Sequence, residues 1–166
     1  WVGAMIGNVK QPILLITPEG REEETVTRLA RVGFDNTLGY LKGGMNNWSK
    51  ANKTVDTVEG IEVKSFKPIA EKENLTIFDV RKSGEYASEH LVDAHSTPLD
   101  FLNNHMSEFP IKGDFYIHCA GGYRSMIAAS ILKSRGIHNL IDVRGGFAAI
   151  KEGGLKVTEY VCPSTL

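Results

Sequence analysis

The stretch DFYIHCAGGYRSMIAASILKSRGIHNLIDVRGG, residues 114–146, decides the fold. It opens on a short apolar run, Phe115 to Ile117, and crosses a polar loop that contains Gly121 and Gly122. A helical segment follows, then a second short run before Gly145 and Gly146. Strand, helix, strand at that spacing is the signature of a parallel sheet. Met126, Ile127, Ala128, Ala129, Ile131 and Leu132 make the helix apolar nearly all round, so it is expected to be buried, capped by Ser125 and ended at Gly136.

An earlier stretch reads alike. PILLIT (12–17) leads through a helical segment to GFDNTLGYLKGG (33–44). Thr17 and Cys119 lie 102 positions apart, and so do Gly43 and Gly145, so the two stretches read as copies of one unit. In the earlier copy only Val26, Leu29 and Ala30 form an apolar stripe, which predicts a surface helix. Trp48, after Gly43 and Gly44, reads as a core anchor.

Between the copies, KTVDTVEG (Lys53 to Gly60) is polar, ends in glycine and reads as a linker. After it, Ile61 to Val63 and Leu75 to Val80 read as strands, and Ser83 to His90 and Leu99 to Phe109 as helices. The expected architecture is therefore α/β, a parallel sheet flanked by helices. Residues 1–52 form a partial module, 53–60 the linker and 61–166 a complete domain. The chain opens at Trp1 rather than Met, and the earlier copy begins where the later one is half built. A missing upstream domain of the same protein is therefore expected.

With 166 residues, 42% hydrophobic and 23% charged, and a net charge of -1, the chain falls in the globular class. Nineteen Lys+Arg against twenty Asp+Glu, with no basic run, argue against a nucleic-acid partner. No apolar run approaches the ~20 residues of a membrane span, so no membrane partner is expected. Two cysteines, Cys119 and Cys162, are too few for a disulfide framework and point to a reducing, cytoplasmic compartment.

The loop HCAGGYRS, His118 to Ser125, stands where a strand meets a buried helix. Ligands of open α/β sheets bind at the carboxyl ends of strands. A loop with Gly121 and Gly122 can curl so that its N–H groups point inward, and the helix N-terminus adds partial positive charge. Such a cradle favours an anion and stabilises Cys119 as the nucleophilic thiolate. From Cys119 to Ile141 there is no Asp or Glu, while Arg124 supplies a cation. The earlier copy has Thr17 at the cysteine position and Glu19, Glu22, Glu23 and Glu24 around its helix start, so no active site is expected there.

These residues resemble the rhodanese-like sulfurtransferase family. The resemblance rests on IFDVRKSGEY (77–86, with Asp79, Arg81, Glu85 and Tyr86), EHLVDAHSTPL (89–99), the CAGGYRS loop and the glycine pair Gly145–Gly146. It implies a complete rhodanese-like domain over about Ile61 to Tyr160, preceded by half of an inactive one. TPEGREEETVTRLARVGFDN (17–36) and EYVCPSTL (159–166) are similar to the C-terminal part of proteins in which a metallo-β-lactamase-fold domain, a hydrolase or persulfide dioxygenase, precedes tandem rhodanese modules.

What the resemblance implies is covalent sulfur transfer. Cys119 would take sulfane sulfur from thiosulfate or a thiol persulfide, hold it as a persulfide and release it to a thiol or cyanide. The backbone of Ala120, Gly121, Gly122, Tyr123, Arg124 and Ser125 would hold the sulfur anion. Arg124 would attract the anionic donor and Ser125 would donate a hydrogen bond. No metal and no organic cofactor are required; the partners are a small-molecule sulfur donor and a thiol acceptor. Cysteine phosphatases place five residues between Cys and Arg, whereas four stand here, which favours a single sulfur atom over a phosphate ester. The rival from another class is a non-catalytic interaction or regulatory module.

Other residues have plainer readings. His118 alternates to the opposite face from Cys119 and reads as a packed, hydrogen-bonded histidine. His90, His95, His105 and Asp93 match no metal-ligand spacing. Asp79, Arg81 and Glu85 read as one structural polar cluster near the loop. Cys162 reads as a surface thiol, the alternative being a resolving thiol that closes a disulfide on Cys119. The PILLIT and LGYL strands would expose a sheet edge, so the partial module is expected either to self-associate or to pack on the complete domain.

Overall fold

Four consecutive side chains, Phe115 to His118, are buried, which a strand allows only where its sheet is covered on both faces. In a computed structural model, which describes residues 2–72 and 74–162, the chain divides into two units, residues 1–56 and 57–166.

The first unit contains α1 (Val2–Met5), β1 (Ile13–Leu15), α2 (Glu22–Ala30), β2 (Thr37–Tyr40) and α3 (Gly44–Lys50). β1 and β2 pair in parallel as a two-stranded sheet. No residue of α2 is buried, as its narrow apolar stripe predicts. Trp48 does not anchor a core: it is 36% exposed, and its indole N–H donates to the Thr54 carbonyl at 2.9 Å. Two strands leave too thin a layer to enclose so large a ring.

The second unit runs β3 (Glu59–Ile61), α4 (Val63–Ala70), β4 (Ile77–Asp79), α5 (Ser83–Ser88) and β5 (His95–Ser96). A 3-10 helix (Leu99–Glu108), β6 (Phe115–His118), α6 (Tyr123–Ser134), β7 (Leu140–Val143) and α7 (Gly146–Glu152) complete it. The five strands form one parallel sheet in the order β3-β7-β6-β4-β5. Register pairs Ile77 with Tyr116 and Phe78 with Ile117, so neighbouring residues serve opposite faces. On one face Ile77, Tyr116 and Val143 pack with Phe66 of α4 and Ile150 of α7. On the other, Phe78 meets Phe115 and Phe109 at ring separations of 5.4 and 4.5 Å.

Several expectations need correction. Val63 is not strand: β3 ends at Ile61, and Val63 and Phe66 are the buried face of α4, one turn apart. Pro68 within that short segment hid its helical periodicity. The strand also begins inside the expected linker, at Glu59. The segment after Pro98 is a 3-10 helix interrupted by a kink at Phe101, with Leu99 and Leu102 buried on either side of it. In α6, Ala128, Ala129 and Leu132 are buried, but Met126 is 43% exposed, so the helix covers the sheet with one face.

The two units share a local device. Gly44 opens α3 at φ 55, and a Cβ there would lie 2.8 Å from the Thr17 carbonyl oxygen. Gly146 opens α7 at φ 59, and a Cβ there would overlap the Cys119 carbonyl oxygen and lie 2.8 Å from the Ala120 carbonyl carbon. A side chain at Gly146 therefore meets backbone that cannot swing aside and must also adopt a left-handed conformation. Gly146→Ala is expected to cost about 1–3 kcal/mol of stability, measured by urea unfolding, and to slow alkylation of Cys119 as its loop is pushed out.

Candidate active site

The chain leaves β6 at His118 and turns through Cys119 to Gly122 before α6 starts at Tyr123. Gly122 takes φ 106 and serves as the N-cap, which closes the turn in four residues. The carbonyls at the start of the loop are held on its outer side. Cys119 O accepts from the Phe147 N–H at 2.6 Å, and Ala120 O accepts from the Ala148 N–H at 3.1 Å.

With those carbonyls anchored, the amides turn inward. The Gly122 N–H donates to Cys119 Sγ at 3.1 Å. The Ser125 hydroxyl and the amides of Ser125 and Gly121 lie around the sulfur and favour its anionic form. Cys119 is 1% exposed, and burial pushes its thiol up; the donors from Ser125, Gly121 and Gly122 outweigh burial and hold it below the ordinary thiol range. The N-terminal end of α6 adds its partial positive charge. The loop is a cradle for a sulfur anion.

Ser125 is not the helix cap. Because Gly122 ends the loop, the helix begins earlier, and Ser125 lies within its first turn with Oγ donating to the Gly122 carbonyl at 3.2 Å. Asp142 on β7 lies near that hydroxyl, and its pKa is raised by burial. Asp142 is 5% exposed and is not among the site residues expected from the sequence. The available signal was an acid inside the otherwise apolar strand LIDV.

Arg124 is placed differently from expectation. Its guanidinium meets Glu85 in a two-pronged ion pair, Nη1 to Oε2 at 2.5 Å and Nη2 to Oε1 at 2.9 Å. Arg124 is 14% exposed at its side chain, and Glu85 keeps it protonated while being held below the usual carboxylate range by it. The cation read as an attractor of anionic donors is thus matched by a carboxylate from α5. The expected Asp79–Arg81–Glu85 cluster separates accordingly. Asp79 and Arg81 form a buried pair at 2.6 Å, and Arg81 also donates to the Glu89 carbonyl and stacks over Phe147 at 3.9 Å. Glu85 belongs to Arg124.

Tyr123 is 69% exposed. His118 is fully buried, its Nδ1 is 3.3 Å from the Cys119 carbonyl and 4.0 Å from Asp79, and burial lowers its pKa. It is a packed neutral histidine. His90 stacks on Tyr86, His95 lies against Phe78 and His105 meets Glu108 at 2.7 Å, so each has its own partner. Among the described residues no group of three or more His, Cys, Asp or Glu is placed to hold a metal ion, and none of their helices is long and apolar enough to cross a membrane. Cys162 is exposed, and the rest of its terminal segment, 163–166, lies outside the described residues.

A model of the rhodanese-like domain matches residues 62–153. A sulfurtransferase of Allochromatium vinosum is 32% identical over 89 residues, covering 54% of this chain and 83% of that relative. YrkF of Bacillus subtilis, described as a putative sulfur carrier protein, is 30% identical over 106 residues, covering 63% of this chain and 55% of its own length. The chain thus spans about half of that second relative. Among solved structures, a rhodanese-like domain protein from Staphylococcus aureus superposes with a TM-score of 0.55 at 29% identity, over 61% of this chain and all of that one. A thiosulfate sulfurtransferase from Pseudomonas aeruginosa has a TM-score of 0.55 over 96% of this chain and 35% of its own, and at 19% identity it shares the fold. The parallel sheet, the four-residue cysteine loop and the matched span together make this chain a member of the rhodanese-like domain family.

Proposed function

We propose that the protein moves sulfane sulfur from thiosulfate or a thiol persulfide to a thiol or cyanide acceptor, with Cys119 as the covalent carrier. The observation that carries this reading is the Gly122 N–H donated to the buried Cys119 Sγ at 3.1 Å, in a loop whose other amides and Ser125 favour the thiolate. Sulfurtransferases of this fold use a cysteine persulfide and no external cofactor. The Cys119 thiolate attacks the outer sulfur of the donor, and sulfite or a thiolate leaves. The new S–S bond puts a terminal sulfur anion into the cradle, and an acceptor then attacks that sulfur and restores the thiolate. Splitting the transfer in two replaces one high barrier with two lower ones.

A phosphatase reading has less support. Its phosphate would need a wider ring and a cation of its own, whereas Arg124 is engaged by Glu85. A docking role for the first unit has a separate observation behind it. Leu14, Ile16, Leu38 and Tyr40 are 76, 58, 66 and 52% exposed, apolar surface of the kind that serves as an interaction site. The first unit acts in this reading as an inactive partial module. An upstream metallo-β-lactamase-fold domain and a cytoplasmic setting complete the proposal, on the sequence resemblance and the cysteine count already given.

Incubation with thiosulfate or glutathione persulfide should add the mass of one sulfur atom to the intact protein. Cyanide should remove it, and Cys119→Ser should not acquire it. Failure of both donors to load the wild type would overturn sulfur transfer.

The thiolate is the reacting form, so uptake should persist below the ordinary thiol pKa of about 8.5 and fall as pH drops through the lowered value. Ser125→Ala removes a donor to the thiolate and should move that acid limb to higher pH. Iodoacetamide alkylation of Cys119 at neutral pH should then slow by roughly tenfold, the worth of one hydrogen bond to a charged group. An unmoved limb would show that Ser125 does not act on the sulfur.

Sedimentation across a concentration series should reveal self-association that weakens in Leu14→Lys; a strictly monomeric wild type would remove self-association through this surface.

A further inference from the structure

The guanidinium groups of Arg81 and Arg124 are matched by carboxylates, Arg81 by Asp79 and Arg124 by Glu85, and that of Arg144 by Glu62. The cradle therefore offers a sulfur anion directed N–H groups with almost no net charge beside them. That environment discriminates between donors. Thiosulfate carries two negative charges, mostly on sulfonate oxygens that would have to be held beside the reacting sulfur. A thiol persulfide carries at most one on its sulfur atoms, and any carboxylate of its carbon chain lies away from the reacting sulfur.

A second observation lies next to the same carboxylate. Glu85 forms one wall of a shallow hollow of about 560 Å³, lined also by Arg81, Lys82, Ser88, Phe147 and Tyr160. The hollow is open to solvent, so it would take a ligand along its surface rather than enclose it. The hollow adjoins the reacting loop through Glu85, which holds Arg124, and through Phe147, whose N–H holds the Cys119 carbonyl on the loop's outer side. Its charges are also uneven. Arg81 is paired with Asp79, Glu85 with Arg124 and Glu89 with Lys151, whereas the exposed Lys82 has no carboxylate partner among the described residues. The buried Phe147 and the exposed ring of Tyr160, with one cation beside them, suit a carbon chain that ends in a carboxylate.

Resting on the sulfur-transfer reading, we propose that Glu85 sets the choice of donor. By occupying Arg124 it turns the cradle away from the thiosulfate dianion and toward a small organic thiol persulfide, whose carbon chain and carboxylate lie in the hollow of Lys82, Phe147 and Tyr160. In the reaction, the Cys119 thiolate forms a bond to the outer sulfur of the persulfide RSSH and the RS–S bond breaks. The electron pair leaves on RS⁻, and the proton stays with the transferred sulfur or passes to the departing thiolate. No oxidant or reductant is consumed. Glu85 acts through Arg124 and is a positioning residue.

The test measures kcat and KM for sulfur loading of the full chain, with thiosulfate and with glutathione persulfide prepared from glutathione disulfide and sulfide. The wild type should prefer glutathione persulfide. Glu85→Gln keeps the shape and frees Arg124, so the ratio of kcat/KM for thiosulfate over persulfide should rise by roughly tenfold, carried by a lower KM for thiosulfate. Tyr160→Ala should move the same ratio in the same direction by a different route, a higher KM for glutathione persulfide. A wild-type preference for thiosulfate, or a change by one common factor for both donors in both variants, would overturn the inference while leaving sulfur transfer standing. A wild type that neither donor loads would overturn the sulfur-transfer reading itself, and with it this one.

Discussion

The outward anchoring of two carbonyls, Cys119 and Ala120, is the constraint on which the site depends. Each peptide carries an N–H and a C=O, and burial obliges both to find partners. Once the amides of Phe147 and Ala148 take the carbonyls, the amides of the loop are free to converge on Cys119 Sγ. That anchoring requires α7 to start against the loop, and only a residue without a Cβ fits at Gly146. The strand order brings it about, because β6 and β7 are neighbours and the helices that follow them start side by side at the carboxyl ends of these strands.

Recognition in this cradle is directional rather than a matter of net charge. Desolvation alone would raise the thiol of Cys119, and the hydrogen bonds from Ser125, Gly121 and Gly122 reverse that tendency. The charged side chains nearby are spent on one another. A guanidinium as enclosed as Arg81, 5% exposed, is tolerable only with a partner such as Asp79, and the same logic joins Arg124 to Glu85. The resulting ion pairs brace the loop from β4 and α5 without presenting a bare cation to the sulfur.

The first unit uses the same backbone device for another end. Gly44 approaches the Thr17 carbonyl as Gly146 approaches that of Cys119, so the strand, loop and helix geometry of the motif is retained there. The chemistry is not: Thr17 replaces the thiol, and Glu22, Glu23 and Glu24 fill the first turn of α2, satisfying the helix dipole that would otherwise favour an anion.

What could be read from the chain by itself was whatever local spacing governs. The βαβ order, the 102-residue repeat, the four-residue loop and the buried seat of His118 follow from alternation, helix periodicity and glycine placement, all of which act within one or two elements. α4 escaped because Pro68 interrupts its pattern, and Ser125 was misassigned as a cap because a glycine at positive φ starts the helix sooner. Only the tertiary structure joined Glu85 to Arg124 across 39 positions and brought Asp142 beneath Ser125. The charge of a site is a sum over space, and residues distant in sequence enter that sum only after the sheet has set its strand order.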